Sequence, residues 1–370
     1  MSFLGSIDVT LTVHNEKITQ VVILPRKEIH VEKFFIGKKV SEIKQLIRNL
    51  FSLCPDSQLS CSLVACHLAR TGTPSQEILI QARWLNHLEM INESLRYFVL
   101  DVGCETYRSD KIQALIKARD CITKLKRCSP QDWEEIEHLW VDLRSISSFI
   151  LLDGFPTNWM QALMHGTLKS SDESLTEALV RYGKNRTLGF CPSALEHNKA
   201  PEILINNLEI DSWKNYPWNI RVKGLTGAVT RLSSDPVVSG LLTQDGNTIY
   251  TRIVARFLQT IHAIDMIHAD ESSVDAVWIR PGVASALVEN SRGVLIHSVE
   301  LDLTQGIDDP TVKHYQILTP TEINITQSEF CKASLKNLSF RGDEDLKDKA
   351  SLIFQSFDPC TTVHIEVKHA

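Results

Sequence analysis

The 370-residue sequence has no stretch approaching the roughly 18 continuous apolar residues of a membrane helix, and its opening, Met1-Ser2-Phe3-Leu4-Gly5-Ser6, has no basic segment leading into a long apolar one. A soluble, cytoplasmic protein is expected. No charge dominates: 39 Lys+Arg face 45 Asp+Glu, for a net −6, and the basic residues form only short clusters. That leaves no electrostatic footprint for nucleic acid or an anionic membrane. Walker-type and dinucleotide-type glycine loops, a zinc-type Cys-x-x-Cys pair and a Gly-x-Ser-x-Gly elbow are all missing, so the commonest nucleotide, zinc and serine-hydrolase chemistries have no carrier. Cysteine is present without a framework pattern: nine residues, an odd number, are scattered along the chain. Reduced and mostly buried thiols are expected rather than disulfides.

What is present is globular: 43% hydrophobic and 23% charged residues, with no long linker, read as one domain over residues 1–370. Ile7, Val9, Leu11 and Val13 alternate with polar residues, and a second run to Leu24 follows a polar stretch, so residues 7–24 read as a β-hairpin. Ile43, Leu46, Ile47, Leu50 and Phe51 then recur at helical spacing behind Ser41 as N-cap, with the helix stopping before Pro55 and leaving Cys54 at its end. A long helix begins at Ser75, another near Asp110, and a third behind Ser129-Pro130-Gln131-Asp132, giving a helical core over about residues 41–180. Residues 183–246 read as loop-rich, and helical periodicity returns at 249–267. Residues 293–301 and 313–318 read as paired strands, 346–357 as a helix, with Cys360 just after its end. Among metal-capable side chains, His262 and His268 are six apart and cannot face one ion, and Cys61 and Cys66 fail likewise at five. Cys360, His364 and Glu366 carry suitable donors but sit on a chain end, where fraying is expected.

Four segments carry a resemblance. Phe35-Ile36-Gly37-Lys38-Lys39 followed by Leu50-Phe51-Ser52-Leu53-Cys54-Pro55-Asp56-Ser57-Gln58 resembles the first metal-binding box of nickel-iron hydrogenase large subunits, Arg-x-Cys-Gly-x-Cys-x-x-x-His. Ser356-Phe357-Asp358-Pro359-Cys360-Thr361-Thr362-Val363-His364-Ile365-Glu366 resembles the closing box, Asp-Pro-Cys-x-x-Cys-x-x-His. Between them, Glu289-Asn290-Ser291-Arg292-Gly293-Val294-Leu295-Ile296-His297 resembles Glu-Ala-Pro-Arg-Gly-x-Leu-x-His. Tyr315-Gln316-Ile317-Leu318-Thr319-Pro320-Thr321-Glu322-Ile323-Asn324 resembles Tyr-Gln-x-x-x-Pro-Thr-Thr-x-Asn. The segments stand in the family's order.

The departures bear on function. The family holds nickel with four cysteinates, two of which bridge to an iron carrying cyanide and carbonyl ligands. Here Cys54 and Cys360 are kept, whereas Phe51 and Val363 stand at the other two positions. A phenyl ring and an isopropyl group cannot donate to a metal, so no stable nickel is expected. Gln58 and Glu366 replace the histidines of the two boxes, and Leu4-Gly5-Ser6 aligns with the Glu-Gly-His implicated in proton transfer. The chain ends four residues after Glu366, so nickel-triggered removal of a C-terminal extension is not expected. Arg292, by the resemblance, occupies the position that donates toward iron's diatomic ligands, and Thr321 a neighbouring one that presents a hydroxyl.

The pattern resembles the hydrogenase formation proteins of HupK or HoxV type. The resemblance implies an α+β, mainly helical fold with a central bundle, small peripheral sheets, and a strand pair and sealing segment at about 289–370. It implies no catalysis. Instead Cys54 and Cys360 would transiently hold an iron with cyanide and carbonyl ligands, between the hydrogenase maturation chaperones and the hydrogenase large subunit precursor. The alternative is a metal-free mimic of the large subunit that recruits chaperones or protects an apo-subunit. A residual redox enzyme using Cys360, His364 and Glu366 is the weakest reading.

Overall fold

Inward Ile7, Val9, Leu11 and Val13 drive the first strand, β1 (Ser6–His14), to pair antiparallel with β2 (Lys17–Leu24). The expected hairpin is therefore present. Its third strand comes from the other end of the chain: β7 (Thr362–His369) pairs parallel with β1, giving the order β2-β1-β7. The expected frayed terminus is thus an ordered edge strand, held because Val363, Ile365 and Val367 alternate inward onto the main core. A computed structural model describes residues 5–24, 31–102, 109–129, 131–168, 175, 179, 182–183, 188–190, 224–268 and 273–370.

Helix α1 (Val40–Leu50) is capped at Lys39 rather than Ser41, because Ser41 spends its N–H and hydroxyl on Asp309, at 2.9 and 2.8 Å. It ends before Phe51. Pro55 does not stop this helix but opens the next, α2 (Pro55–Thr71), where a first-turn proline has no hydrogen bond to lose. Cys54 is accordingly the residue that starts α2, in the left-handed conformation (φ 54°, ψ 40°), not one that ends α1. No periodicity announced α2. It lies between the next helix, Gln76–Arg96, and a sheet built from residues 274–318, and Ser57, Ser60, Cys61, Ser62, Ala65 and Cys66 are all buried, so there is no solvated face to alternate with the apolar one.

The long α3 (Gln76–Arg96) begins where expected, with the Ser75 hydroxyl accepting from the Ile78 N–H. Next come α4 (Ser109–Leu125), α5 (Trp133–Leu152) and α6 (Trp159–His165). The residue preceding α5 is Asp132, not Ser129. Part of the stretch expected to be loop-rich is helical: α7 (Ala228–Arg231) and α8 (Pro236–Asp245), the latter capped by the Asp235 carboxylate. Residues 184–187 and 191–223 of that stretch lie outside the described residues. Helix α9 (Ile249–Asp265) is buried over nearly its whole surface and is tied to α5 by Trp140 Nε1, which donates to the Ile264 carbonyl at 3.1 Å. None of the described helices is long and apolar enough to cross a membrane.

The expected C-terminal strand pair is half of an antiparallel sheet of order β3-β4-β5-β6, built from Val274–Arg280, Val283–Asn290, Gly293–Asp302 and Thr311–Leu318. Every residue of β4 is buried, which removes the alternation that would have marked it. Helices α10 (Glu329–Lys336) and α11 (Asp343–Phe357) lead into Asp358, also left-handed at φ 47°, and then to Cys360 and β7. The protein is α+β and mainly helical, with small sheets.

Candidate functional site

Four chain segments distant in sequence meet around Arg292. The β4–β5 connection is the two-residue turn Ser291-Arg292, and the Asn290 side chain accepts from the N–H groups of Arg292 (2.9 Å) and Gly293 (3.2 Å). Gly293 is at φ 135°, and a Cβ there would fall 2.6 Å from the Thr226 side chain, so the turn requires glycine. This tight turn aims the Arg292 side chain inward. Its Nη1 donates to Cys54 Sγ at 2.6 Å, its Nη2 to Glu93 Oε2 at 3.0 Å, and its Nε to the Asp358 carbonyl at 3.1 Å. At the closing segment, the Thr321 hydroxyl donates to Cys360 Sγ and accepts from the Cys360 N–H, both at 3.2 Å. The structure therefore brings together all four candidate residues as two pairs, Arg292 with Cys54 and Thr321 with Cys360. Neither cysteine is in a disulfide.

The electrostatics are those of a buried, shared ion network. Asp358 takes Arg256 (2.7 Å), Arg292 (3.0 Å) and Arg96 (3.7 Å), while Glu93 takes Arg292 and Arg96. Burial pushes the Asp358 carboxyl upward, but Arg256, Arg292 and Arg96 outweigh it and hold the group below its ordinary value. Arg292 loses from burial and gains more from Asp358, Cys54 and Glu93, so it stays firmly charged. Burial pushes the Cys54 thiol well up, against the pull of Arg292. Cys54 is thus a protonated thiol at neutral pH, and a metal must displace that proton to bind.

Two further groups support Cys54 from behind. Glu89 on α3 accepts from the N–H groups of Asp56 and Ser57, both at 2.8 Å, and from the Ser57 hydroxyl, which satisfies the free donors at the start of α2. Burial nonetheless raises its carboxyl to about 7. Gln58, one turn along α2, accepts from His297 Nε2 at 2.7 Å, while His297 Nδ1 faces the Tyr315 hydroxyl at 2.8 Å, which in turn meets Ser62 at 2.6 Å. An amide oxygen can only accept, so the ring proton lies on Nε2, while the Tyr315 hydroxyl donates to the Ser62 oxygen. Burial drives the His297 imidazole down to about 3, so it is neutral and locks α2 to β5 and β6.

Sequence reasoning missed Glu89, Glu93 and Arg256. Glu89 and Glu93 are four apart on α3, on one helix face, and both are buried. Two acids at that spacing within an apolar stripe were the available signal. His364 and Glu366 fall on the exposed side of β7, so they do not join Cys360. Among the described residues no group of three or more His, Cys, Asp or Glu side chains is arranged to hold a metal ion.

The HupK hydrogenase expression/formation protein of Bradyrhizobium diazoefficiens is 23% identical over 377 residues, spanning 100% of this chain and 99% of HupK. The HoxV hydrogenase expression/formation protein of Cupriavidus necator is 32% identical over 92 residues, 25% of this chain and 23% of HoxV. In structure, the Ni-Fe-Se hydrogenase of D. vulgaris Hildenborough aligns over 94% of both chains at 12% identity and a TM-score of 0.58. An NAD+-reducing nickel-iron hydrogenase aligns over 96% of both, also at 12% identity and 0.58. The chain is similar to HupK and HoxV, and it shares the fold of hydrogenase large subunits. No known family profile matches it.

Phe51 and Val363, which the resemblance aligns with the family's other two cysteines, are packing residues. Phe51 is 5% exposed and belongs to the cluster between α1, α2 and the second sheet, and Val363 faces the main core from β7.

Proposed function

We propose that this chain is a non-catalytic accessory protein of hydrogenase maturation. It takes an iron carrying cyanide and carbonyl ligands from the maturation chaperones, holds it transiently and passes it to the hydrogenase large subunit precursor. Cys54 and Cys360 would hold the iron, and Arg292 and Thr321 would donate hydrogen bonds to its ligands. The observation that carries this reading is the pairing itself: each retained thiol is hydrogen-bonded to one of those two donors, at 2.6 and 3.2 Å. The donor set fits the cargo. Two soft thiolates suit one iron, while Phe51 and Val363 deny a four-sulfur nickel environment. The names of HupK and HoxV as formation proteins agree with this role.

Serine at Cys54 or Cys360, introduced in a host that matures hydrogenase, should abolish hydrogenase activity while the chain remains folded. Full activity in both variants would refute the relay. The protonated state of Cys54 favours one second reading, a metal-free mimic of the large subunit that recruits chaperones or shields an apo-subunit. Capture of a maturation chaperone that survives the Cys54→Ser, Cys360→Ser double change, with maturation intact, would select it.

A further inference from the structure

Residues 224–227 belong to no helix or strand, yet Leu225 and Thr226 are buried. Irregular backbone inside a protein must find partners for its N–H and C=O groups. The Asn324 side chain supplies both for Thr226: Oδ1 accepts from the Thr226 N–H at 2.9 Å, and Nδ2 donates to the Thr226 carbonyl at 3.0 Å. A carboxamide carries a donor and an acceptor side by side, as a peptide group does, so Asn324 stands in for a neighbouring strand.

The same segment touches the turn that carries Arg292. Thr226 Oγ1 accepts from the Val294 N–H at 2.9 Å. Gly227, at φ 123°, lies so close that a Cβ there would fall 3.0 Å from the Arg292 carbonyl oxygen, and a side chain would push the segment off the turn. On its other side Asn324 belongs to the short helical turn Glu322–Thr326, which Thr321 opens. The Glu322 carboxylate pins that turn by accepting from the Thr319 N–H and hydroxyl, at 2.7 and 2.8 Å. One path of contacts therefore runs from Cys360 to Thr321, along the turn to Asn324, through Thr226 to the β4–β5 turn, and on through Arg292 to Cys54.

We propose that Asn324 is a positioning residue: acting through Thr226, it fixes the separation of the Arg292–Cys54 and Thr321–Cys360 pairs so that both thiols converge on one ion. The inference rests on the two-thiol site of the relay. The Asn324 side chain is spent on Thr226, so it acts on the thiols only through the segments it joins. Groups that hold metal ligands in place in this way set affinity by about 10–100-fold.

The test is titration of cadmium(II), a soft ion that binds thiolates, into the metal-free full chain under anaerobic conditions. Binding is read from the ultraviolet thiolate-to-metal absorption, with the Cys54→Ser, Cys360→Ser double variant as background. The native chain should bind a single ion above that background. Asn324→Ala and Thr226→Val should each weaken binding about tenfold or more, whereas Thr226→Ser, which keeps the hydroxyl, should bind as the native chain does. Unfolding midpoints on the same samples separate positioning from folding, because a purely structural role lowers the midpoint and leaves the affinity of the folded chain unchanged. If Asn324→Ala does not fold, Thr226→Val decides. Native affinity in either folded variant would overturn the positioning role and leave the two-thiol site standing. No cadmium bound by the native chain above background would overturn both.

Discussion

Arg292 Nη1 lies 2.6 Å from Cys54 Sγ, although 238 positions separate the two residues. The contact exists because the β4–β5 turn and the start of α2 are pressed together, and because Glu93 and Asp358 fix the other edges of the guanidinium. Arg292 serves three acceptors from three different nitrogens, a spread that the planar guanidinium spans and the compact ammonium of lysine does not. Arg292→Lys should therefore cost about 3 kcal/mol of stability, since it strips donors from buried Glu93 and Asp358. Denaturant unfolding measures it, and a cost under about 1 kcal/mol would mean the network tolerates a point charge.

Phe51 gives a second prediction. Restoring cysteine there would return a ligand type to the first box but empty part of a packed core. Phe51→Cys should cost about 3 kcal/mol by unfolding and confer no nickel binding, as the Val363 position remains a hydrocarbon. Tight nickel binding by the single variant would contradict the assignment of the ligand positions.

Thr321 separates site chemistry from folding. Thr321→Val keeps the shape but removes the hydroxyl that both donates to and accepts from Cys360. The stability change should be about 1 kcal/mol, whereas support of hydrogenase maturation in cells should fall markedly. Unimpaired maturation would remove Thr321 from the site.

Glu89 predicts a pH dependence. Its folded-state value, about 7 against an ordinary 4.5, means the folded protein binds this proton more tightly than the unfolded chain. The stability from that proton is fully present below pH 4.5 and is lost as pH rises through 7, about 3 kcal/mol in all. Glu89→Gln cannot titrate, so unfolding free energies at pH 5 and pH 8 should show the native protein losing ground to the variant at the higher pH. A constant difference between the two would show that Glu89 is ionised throughout.

These residues also show how far the sequence was readable. The hairpin was legible because Ile7 to Val13 alternate on one buried face, and α3 because Ser75 announces its start. Cys54, Arg292, Thr321 and Cys360 were found by the order of motifs, since no local pattern brings residues so far apart together. Helix α2 escaped because small and polar residues bury all its sides, and β4 because both its faces are covered. Strand β7 escaped because it pairs with β1, at the opposite end of the chain. Glu89 and Glu93 escaped because an acid on a helix reads as solvated until its partners are known, and those partners lie on α2 and the β4–β5 turn.

The relay is tested most directly by its cargo. The protein should be purified anaerobically from a host with intact maturation machinery, its infrared spectrum recorded in the cyanide and carbonyl stretching region, and iron and nickel quantified on the same sample. The account predicts cyanide and carbonyl bands, iron approaching one per chain, and no nickel. Absence of both bands and iron, from cells shown to mature hydrogenase, would contradict it.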